Sequence, residues 1–396
     1  MELQSQTRAQ RDRSRQPQSA NLTWGKSVLR SIGFVSFCLL AVVVLFLLFE
    51  GLSSSWRSVH GFVSSVNNRD VDMAYSTQYD PELGWVNIPN FYSRNFYNPG
   101  VYVQTDSKGF RNREEIEVQV PVGKLRVVCS GDSFTFGIGV DNDHTWCEQL
   151  SSLDQRLQAV NMGVPGYGVD QIYLMYRRDG TRLDYDAQIF ALITDDFRRM
   201  QKNSFLGYGK PELEVRDGQL EVTDVPVKKA SGLSRAVSGS GSLFANLSSV
   251  AVLQSLLDKF RPARHSSSHP IPDNTREVTA KILESLQALN HKKNATLVVV
   301  LLPTLGELTA AGPSQSWRGF LRDESAKQGI TFIDLLEDAQ TLPISELDKL
   351  FIPHGSQRFM GTAGHLSDYG NQYVSRKIYQ ALQANPVISV RLSTPH

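Results

Sequence analysis

Cysteine, net charge and long apolar runs are all scarce in this chain of 396 residues. The three cysteines, Cys38, Cys129 and Cys147, show no metal-ligand spacing, so no metal site and no cofactor is expected. Cys38 falls inside an apolar run, which leaves at most one pair able to bridge in the remainder. Cys129 lies on a predicted buried strand and reads as a small inert core residue. Lys and Arg number 41 against 40 Asp and Glu, a net charge of +1 that leaves no basic footprint for nucleic acid. What remains is the composition of a globular protein, 20 % charged and 41 % hydrophobic, long enough for one large domain or two ordinary ones.

One apolar run is long enough to matter. Residues 1–30 are polar, rich in Gln, Arg and Ser, and predict a disordered tail. Ile32 to Phe49 then carries no charge over 18 residues, so residues 31–50 predict a transmembrane helix. A cleaved signal peptide is the alternative, but the leading segment is long and Gly51-Leu52-Ser53 is a weak cleavage site. Arg8, Arg11, Arg13, Arg15, Lys26 and Arg30 precede the run, so the positive-inside rule keeps the N-terminus cytoplasmic. The expectation is a single-pass protein of the inner (cytoplasmic) membrane whose bulk lies in the periplasm.

Residues 51–120 predict a stalk followed by a β-rich lead-in, with turn signals around Asp80-Pro81 and Ser107-Lys108-Gly109. From 121 to 390 strand and helix signals alternate. Strands are expected at Leu125–Cys129, Ala159–Met162, Gln188–Ile193, Ala295–Leu302 and Ile330–Ile333. Helices are expected around Thr145–Leu157, Val169–Arg178, Asn274–Leu289 and Tyr369–Leu382. Such alternation implies right-handed βαβ crossovers and an α/β fold, a three-layer α/β/α sandwich on a mostly parallel, flavodoxin-like five-stranded sheet. An insertion at 198–272 should hold a hairpin around Asp217-Gly218, a linker at Ser231–Ser242 and an apolar stretch at Leu243–Phe260.

Four segments fall where ligands bind in such sheets, beyond the carboxyl ends of strands. Gly131-Asp132-Ser133 ends the first strand and puts a serine hydroxyl at the sheet edge beside helix N–H groups. Gly166 follows the second strand, where a backbone N–H meets an oxyanion with no side chain in the way. Asp195 and Asp196 follow the third. His365 precedes the last predicted helix and is the side chain suited to act as a base near neutrality. Asp132 is expected to brace the serine turn.

These segments, in this order, resemble the SGNH (GDSL) hydrolase superfamily of esterases, lipases and acyltransferases over about residues 125–385. The resemblance implies Ser133 as nucleophile, His365 as base and an oxyanion hole from Ser133, Gly166 and the residue at 195. Gly370, five residues after His365, also fits the pattern. There is no Gly-x-Ser-x-Gly, because Thr135 takes the last position, which argues against the ordinary α/β-hydrolase elbow. Asp195 stands where the family has Asn, so either its carboxyl is protonated and donates, or the hole relies on two backbone amides. Ala363 and Thr362 stand where the family places its triad acid, and a backbone carbonyl is left to orient His365. Asp368 reads as a first-turn helix charge and His354 as a loop histidine.

The resemblance implies an acyl-ester substrate, an acetylated glycan or a lipid, hydrolysed through an acyl-serine. A sugar acceptor in place of water would make the protein an O-acyltransferase. The substitutions around the site keep a third reading open, a non-catalytic assembly component of an envelope complex.

Overall fold

The computed structural model describes residues 34–42, 44–45, 76–205, 208–229, 271–309 and 314–393. Two compact units are distinguished. In the first, residues 34–42 and 44–45 are helical, with Phe34, Phe37 and Leu40 exposed. Among the described residues no helix is long and apolar enough to cross a membrane. The rest of the expected anchor lies outside the described residues. So do the tail, the stalk, the linker at Ser231–Ser242 and the apolar stretch Leu243–Phe260.

In the second unit, four short strands open the chain: β1 (Thr77–Asp80), β2 (Gly84–Asn87), β3 (Tyr92–Ser93) and β4 (Val103–Gln104). They pair as two antiparallel hairpins, β1 with β2 and β3 with β4. Then β5 (Leu125–Ser130), α1 (Ser133–Phe136), α2 (Trp146–Leu153), β6 (Leu157–Asn161), α3 (Val169–Arg178), β7 (Ala187–Leu192) and α4 (Thr194–Met200) alternate. Two small hairpins follow, β8 (Ser204–Phe205) with β9 (Tyr208–Gly209) and β10 (Glu212–Arg216) with β11 (Gln219–Thr223). The second turns at Asp217-Gly218, both at positive φ as a two-residue hairpin loop requires. The chain continues through α5 (Asp273–Lys292), β12 (Thr296–Leu301), α6 (Leu305–Thr309), α7 (Ser314–Gln328) and β13 (Thr331–Asp334). Helices α8 (Leu335–Gln340), α9 (Ile344–Leu347), α10 (Asp368–Ala384) and α11 (Pro386–Ser393) complete it.

The sheet order is β13-β12-β7-β5-β6, and every pairing within it is parallel. This is the flavodoxin-like arrangement, in which the first crossover runs one way and the later ones the other. Alternation along the strands makes the three layers. Val128, Phe190, Val299 and Leu301 face the cluster holding Ile172, Ile282 and Leu321 of α3, α5 and α7. Val127, Cys129, Ala191, Val298 and Val300 face the one holding Leu150, Val374 and Ile378 of α2 and α10.

Three readings are corrected. The helix expected to reach Leu157 stops at Leu153, because Leu157 is already buried in β6. Helices α7 and α11 were not expected; α7 is mostly polar and anchors through few residues, chiefly Trp317 and Leu321. Cys129 is not a lone core residue. Its Sγ is bonded to that of Cys147 on α2, Cα atoms 6.2 Å apart, with both residues fully buried.

Candidate active site

The switch point of the sheet lies between β5 and β7, and chain segments leaving β5, β6, β7 and β12 converge there. After β5, Asp132 caps α1, its Oδ1 accepting from Phe134 N at 2.9 Å. The serine thus held, Ser133, is 5 % exposed, with its Oγ 3.0 Å from His365 Nε2. Ser133 Oγ also lies 3.2 Å from Asp132 Oδ2, so its one proton has two acceptors in reach. His365 arrives on the loop before α10, held by Ile352 N donating to its carbonyl at 2.8 Å, and its ring lies 4.8 Å from that of Phe134, tilted by 35°.

Burial pushes the His365 imidazole down to about 4, with the Arg199 charge adding to the effect. The Asp132 carboxylate and the carbonyls of Thr362 and Gly361 pull the other way. The ring is therefore neutral, the form a base needs, across ordinary pH. No carboxylate meets its Nδ1, which is buried and has no hydrogen-bond partner among the described residues. Backbone carbonyls, those of Thr362 and Gly361, rather than an acid are what faces the ring on that side. Asp368 lies in the first turn of α10, whose cap is Ser367 accepting from Gly370 N at 3.0 Å, and His354 is exposed.

The second loop carries Gly166 at φ +83°. With Pro165 before it, and Tyr167 N donating to Val164 O at 3.4 Å, the geometry is that of a type II turn, which favours glycine at this position. Neither the Gly166 nor the Ser133 N–H donates to another described residue. The lead-in clamps this loop from behind. Trp85 Nε1 donates to Pro165 O at 3.0 Å, Asn87 Nδ2 to Gly163 O at 3.0 Å, and Gln171 Nε2 from the following helix returns to Leu83 O at 2.8 Å. Arg111, fully buried, donates to the carbonyls of Phe136, Gly137 and Val140 where α1 ends, and burial lowers its guanidinium to about 10.

The two aspartates after β7 take different places. Asp196 is fully buried, and its Oδ2 accepts from Ile193 N at 3.0 Å. Asp195 is partly exposed, lines the same cleft as His365 and ion-pairs with Arg198. A carboxylate in an ion pair accepts and cannot donate, so of the two sequence-level alternatives the hole resting on backbone amides fits this arrangement.

Sequence reasoning missed the residue at the centre. Arg199 Nη1 donates to Asp132 Oδ2 at 2.9 Å, to Asp196 Oδ1 at 2.7 Å and to Tyr167 O at 3.1 Å, tying three site loops to one guanidinium. Burial and the neighbouring Asp132 charge push the Asp196 carboxyl up, against the pull of Arg199. The i,i+3 spacing of Asp196 and Arg199 on a predicted helix was the available signal. Glu307 and Thr194 were also missed; both line the cleft of about 660 Å³ that His365, Phe134 and Arg199 share.

No family model and no curated protein matches the chain. Solved structures do. A lipolytic protein of the G-D-S-L family from Veillonella parvula DSM 2008 is 14 % identical over 65 % of this chain and 97 % of its own, with a TM-score of 0.34. The lipase/acylhydrolase from Enterococcus faecalis is 10 % identical over 66 % and 96 %, with a TM-score of 0.36. A GDSL-like lipase from Bacteroides thetaiotaomicron VPI-5482 is 12 % identical over 68 % and 92 %, also with a TM-score of 0.36. Many of the solved structures this chain is similar to are thus GDSL lipolytic hydrolases, at low identity and low TM-score.

Proposed function

We propose that the protein is a membrane-anchored, extracytoplasmic serine esterase acting on an acyl ester. The observation that carries this reading is the 3.0 Å approach of Ser133 Oγ to a neutral His365 Nε2. Ser133 Oγ attacks the acyl carbon while its proton passes to His365, which then gives it to the departing alcohol. The developing oxyanion is stabilised by the Ser133 and Gly166 N–H groups, a contribution worth about 10²–10³ in rate per donor. Water, deprotonated by the same His365, releases the acid and restores Ser133.

Two features bear on Asp132. It faces the imidazolium formed during attack and favours it. It also competes with His365 for the serine proton, and the Arg199 contact weakens that competition by satisfying the same oxygen.

The apolar run Ile32–Phe49 and the Arg-rich segment before it support the anchor and its orientation. The Cys129–Cys147 disulfide supports an oxidising compartment such as the periplasm. Acetylated glycans and lipids of the envelope are the substrate classes this location offers. The absence of a carboxylate at His365 Nδ1 and the ion-paired Asp195 favour a second reading, a non-catalytic member of an envelope complex.

One experiment separates them. Full-length protein in detergent should be labelled by a fluorophosphonate probe, and Ser133→Ala should not be. No labelling, together with no turnover of p-nitrophenyl acetate, refutes the esterase. A C-terminal alkaline-phosphatase fusion should be active and stay with membranes after a salt wash; a soluble secreted product counts for cleavage instead.

A further inference from the structure

The buried tryptophan of the lead-in, Trp85, acts on the one peptide group that supplies the second oxyanion donor. Its Nε1 donates to Pro165 O at 3.0 Å and is the only donor to that carbonyl among the described residues. The Pro165 carbonyl and the Gly166 N–H belong to a single trans peptide unit and point in opposite directions. Holding the carbonyl toward Trp85 therefore aims the Gly166 N–H away from it. Gly166 is buried, and its N–H has no partner among the described residues. Accepting the Trp85 bond also polarises the amide, which makes its N–H a stronger donor.

The same peptide is the movable part of its turn. Over Val164-Pro165-Gly166-Tyr167, type I and type II turns differ by a half-rotation of the central peptide, and proline followed by glycine fits both. The ends of the turn are fixed independently. Val164 N donates to Gly131 O at 3.1 Å, and Tyr167 O accepts from Arg199 Nη1 at 3.1 Å. A Cβ added at Gly163 would lie 2.7 Å from the Thr135 carbonyl carbon, so the loop is seated against α1, which carries Ser133. Only the middle peptide is left to turn. Where the type II form presents an N–H, the type I form presents the Pro165 carbonyl, whose negative end repels an oxyanion. Trp85 is itself held by the rings of Tyr167 at 5.5 Å, Tyr208 at 6.0 Å and Phe205 at 6.4 Å. Tyr167 Oη also donates to Trp85 O, a second tie between this residue and the turn.

We propose that Trp85 is a positioning residue that latches the Pro165–Gly166 peptide in its type II orientation and so keeps the second oxyanion donor aimed at the substrate. Without the latch the peptide turns over, and a carbonyl replaces the N–H in the hole. This rests on the esterase reading above and gives its oxyanion hole a control point in the lead-in, outside the cleft.

The test is a double-mutant cycle on full-length protein in detergent. It reads the second-order rate of fluorophosphonate labelling, and kcat and KM for p-nitrophenyl acetate. Trp85→Phe removes the donor but keeps an aromatic ring, and should lower the labelling rate and kcat about tenfold while KM stays within about twofold. Gly166→Ala, whose side chain disfavours φ +83°, should lower both at least as far, toward the roughly 10²–10³ of one lost donor. The double variant should be no slower than Gly166→Ala, because both changes remove the same donor. Tyr208→Leu loosens the ring cluster with Nε1 in place and should keep kcat. Where Trp85→Phe does not fold, benzothienylalanine at position 85, which has the ring shape without the N–H, takes its part. The proposal is overturned if the folded variant lacking the donor keeps the wild-type kcat and labelling rate. It is equally overturned if the double variant shows the product of the two single losses, or if Tyr208→Leu loses as much kcat as Trp85→Phe. Each of these results leaves the esterase standing. No labelling of the wild type above Ser133→Ala overturns the esterase reading, and the latch with it.

Discussion

Replacing Arg199 by Met tests the electrostatic frame of the site. Its side chain is 15 % exposed, and both carboxylates it contacts, Asp132 and Asp196, are fully buried. Removing the cation leaves two acids facing each other in a low-dielectric pocket, and breaking a buried pair in this way costs about 3–5 kcal/mol. The loss should depend on pH. Asp196 already binds its proton more tightly when folded than when unfolded, and without Arg199 that gap widens. As pH rises above the unfolded carboxylate value the unfolded chain ionises while the folded one resists, so the penalty should be larger at pH 7 than at pH 4. Adding Asp196→Asn should recover at least about 1 kcal/mol, because one of the facing charges is then gone. Activity supplies a separate reading. Arg199 depresses the His365 imidazole, so its removal should move the acidic limb of kcat/KM to higher pH. Urea unfolding at the two pH values and a pH–rate profile measure all three effects. A loss below about 1 kcal/mol with an unmoved acidic limb would refute the reasoning.

Other perturbations follow from the same geometry. His365 binds its proton only near pH 4 when folded, against 6.5 unfolded, so stability should fall as pH is lowered from about 6.5 to 4. The drop is at most about 3 kcal/mol, a ceiling because the ring is half-buried and not sealed, and His365→Gln should abolish that part of the pH dependence. Asn87→Ala removes the bonds to Gly109 O at 3.1 Å and Gly163 O at 3.0 Å, leaving buried carbonyls unpaired. It should cost about 1–3 kcal/mol in urea unfolding and lower kcat more than it changes KM, since it loosens the loop that carries Gly166. In Gly370→Ala the new Cβ would overlap the Leu350 carbonyl, with the carbonyl carbon 2.9 Å away. Because Leu350 O also accepts from Ser367 N at 2.9 Å, the variant should shift the His365 loop, with a loss of about 1–3 kcal/mol and reduced fluorophosphonate labelling.

Much of the fold was legible because buried strands in a parallel sheet are short, continuous apolar runs. Leu125–Ser130, Ala187–Leu192 and Thr296–Leu301 are of that kind, and crossover rules turn such runs into a single topology. Gly166 and Gly370 stood out in the sequence as well, one after its strand and one by its spacing from His365, but the turn that holds the first and the close approach of the second to Leu350 came only with the tertiary structure. Element ends were less legible. Nothing in the helical pattern marks where α2 yields to β6, a boundary that tertiary pairing of Leu157 with Leu125 settles.

The sequence by itself determined the class of fold, the placing of Ser133, Gly166 and His365 after their proper elements, and the unusual residues at 195, 362 and 363, since each depends on local pattern and order. The tertiary structure decided what those residues meet. Arg199 reaches across to Asp132, Asp195 pairs with Arg198, Cys129 finds Cys147, and Glu307 comes beside Thr194 from over a hundred residues away. Such contacts depend on side-chain direction at one sheet edge, which the folding of distant segments together creates and no spacing along the chain encodes.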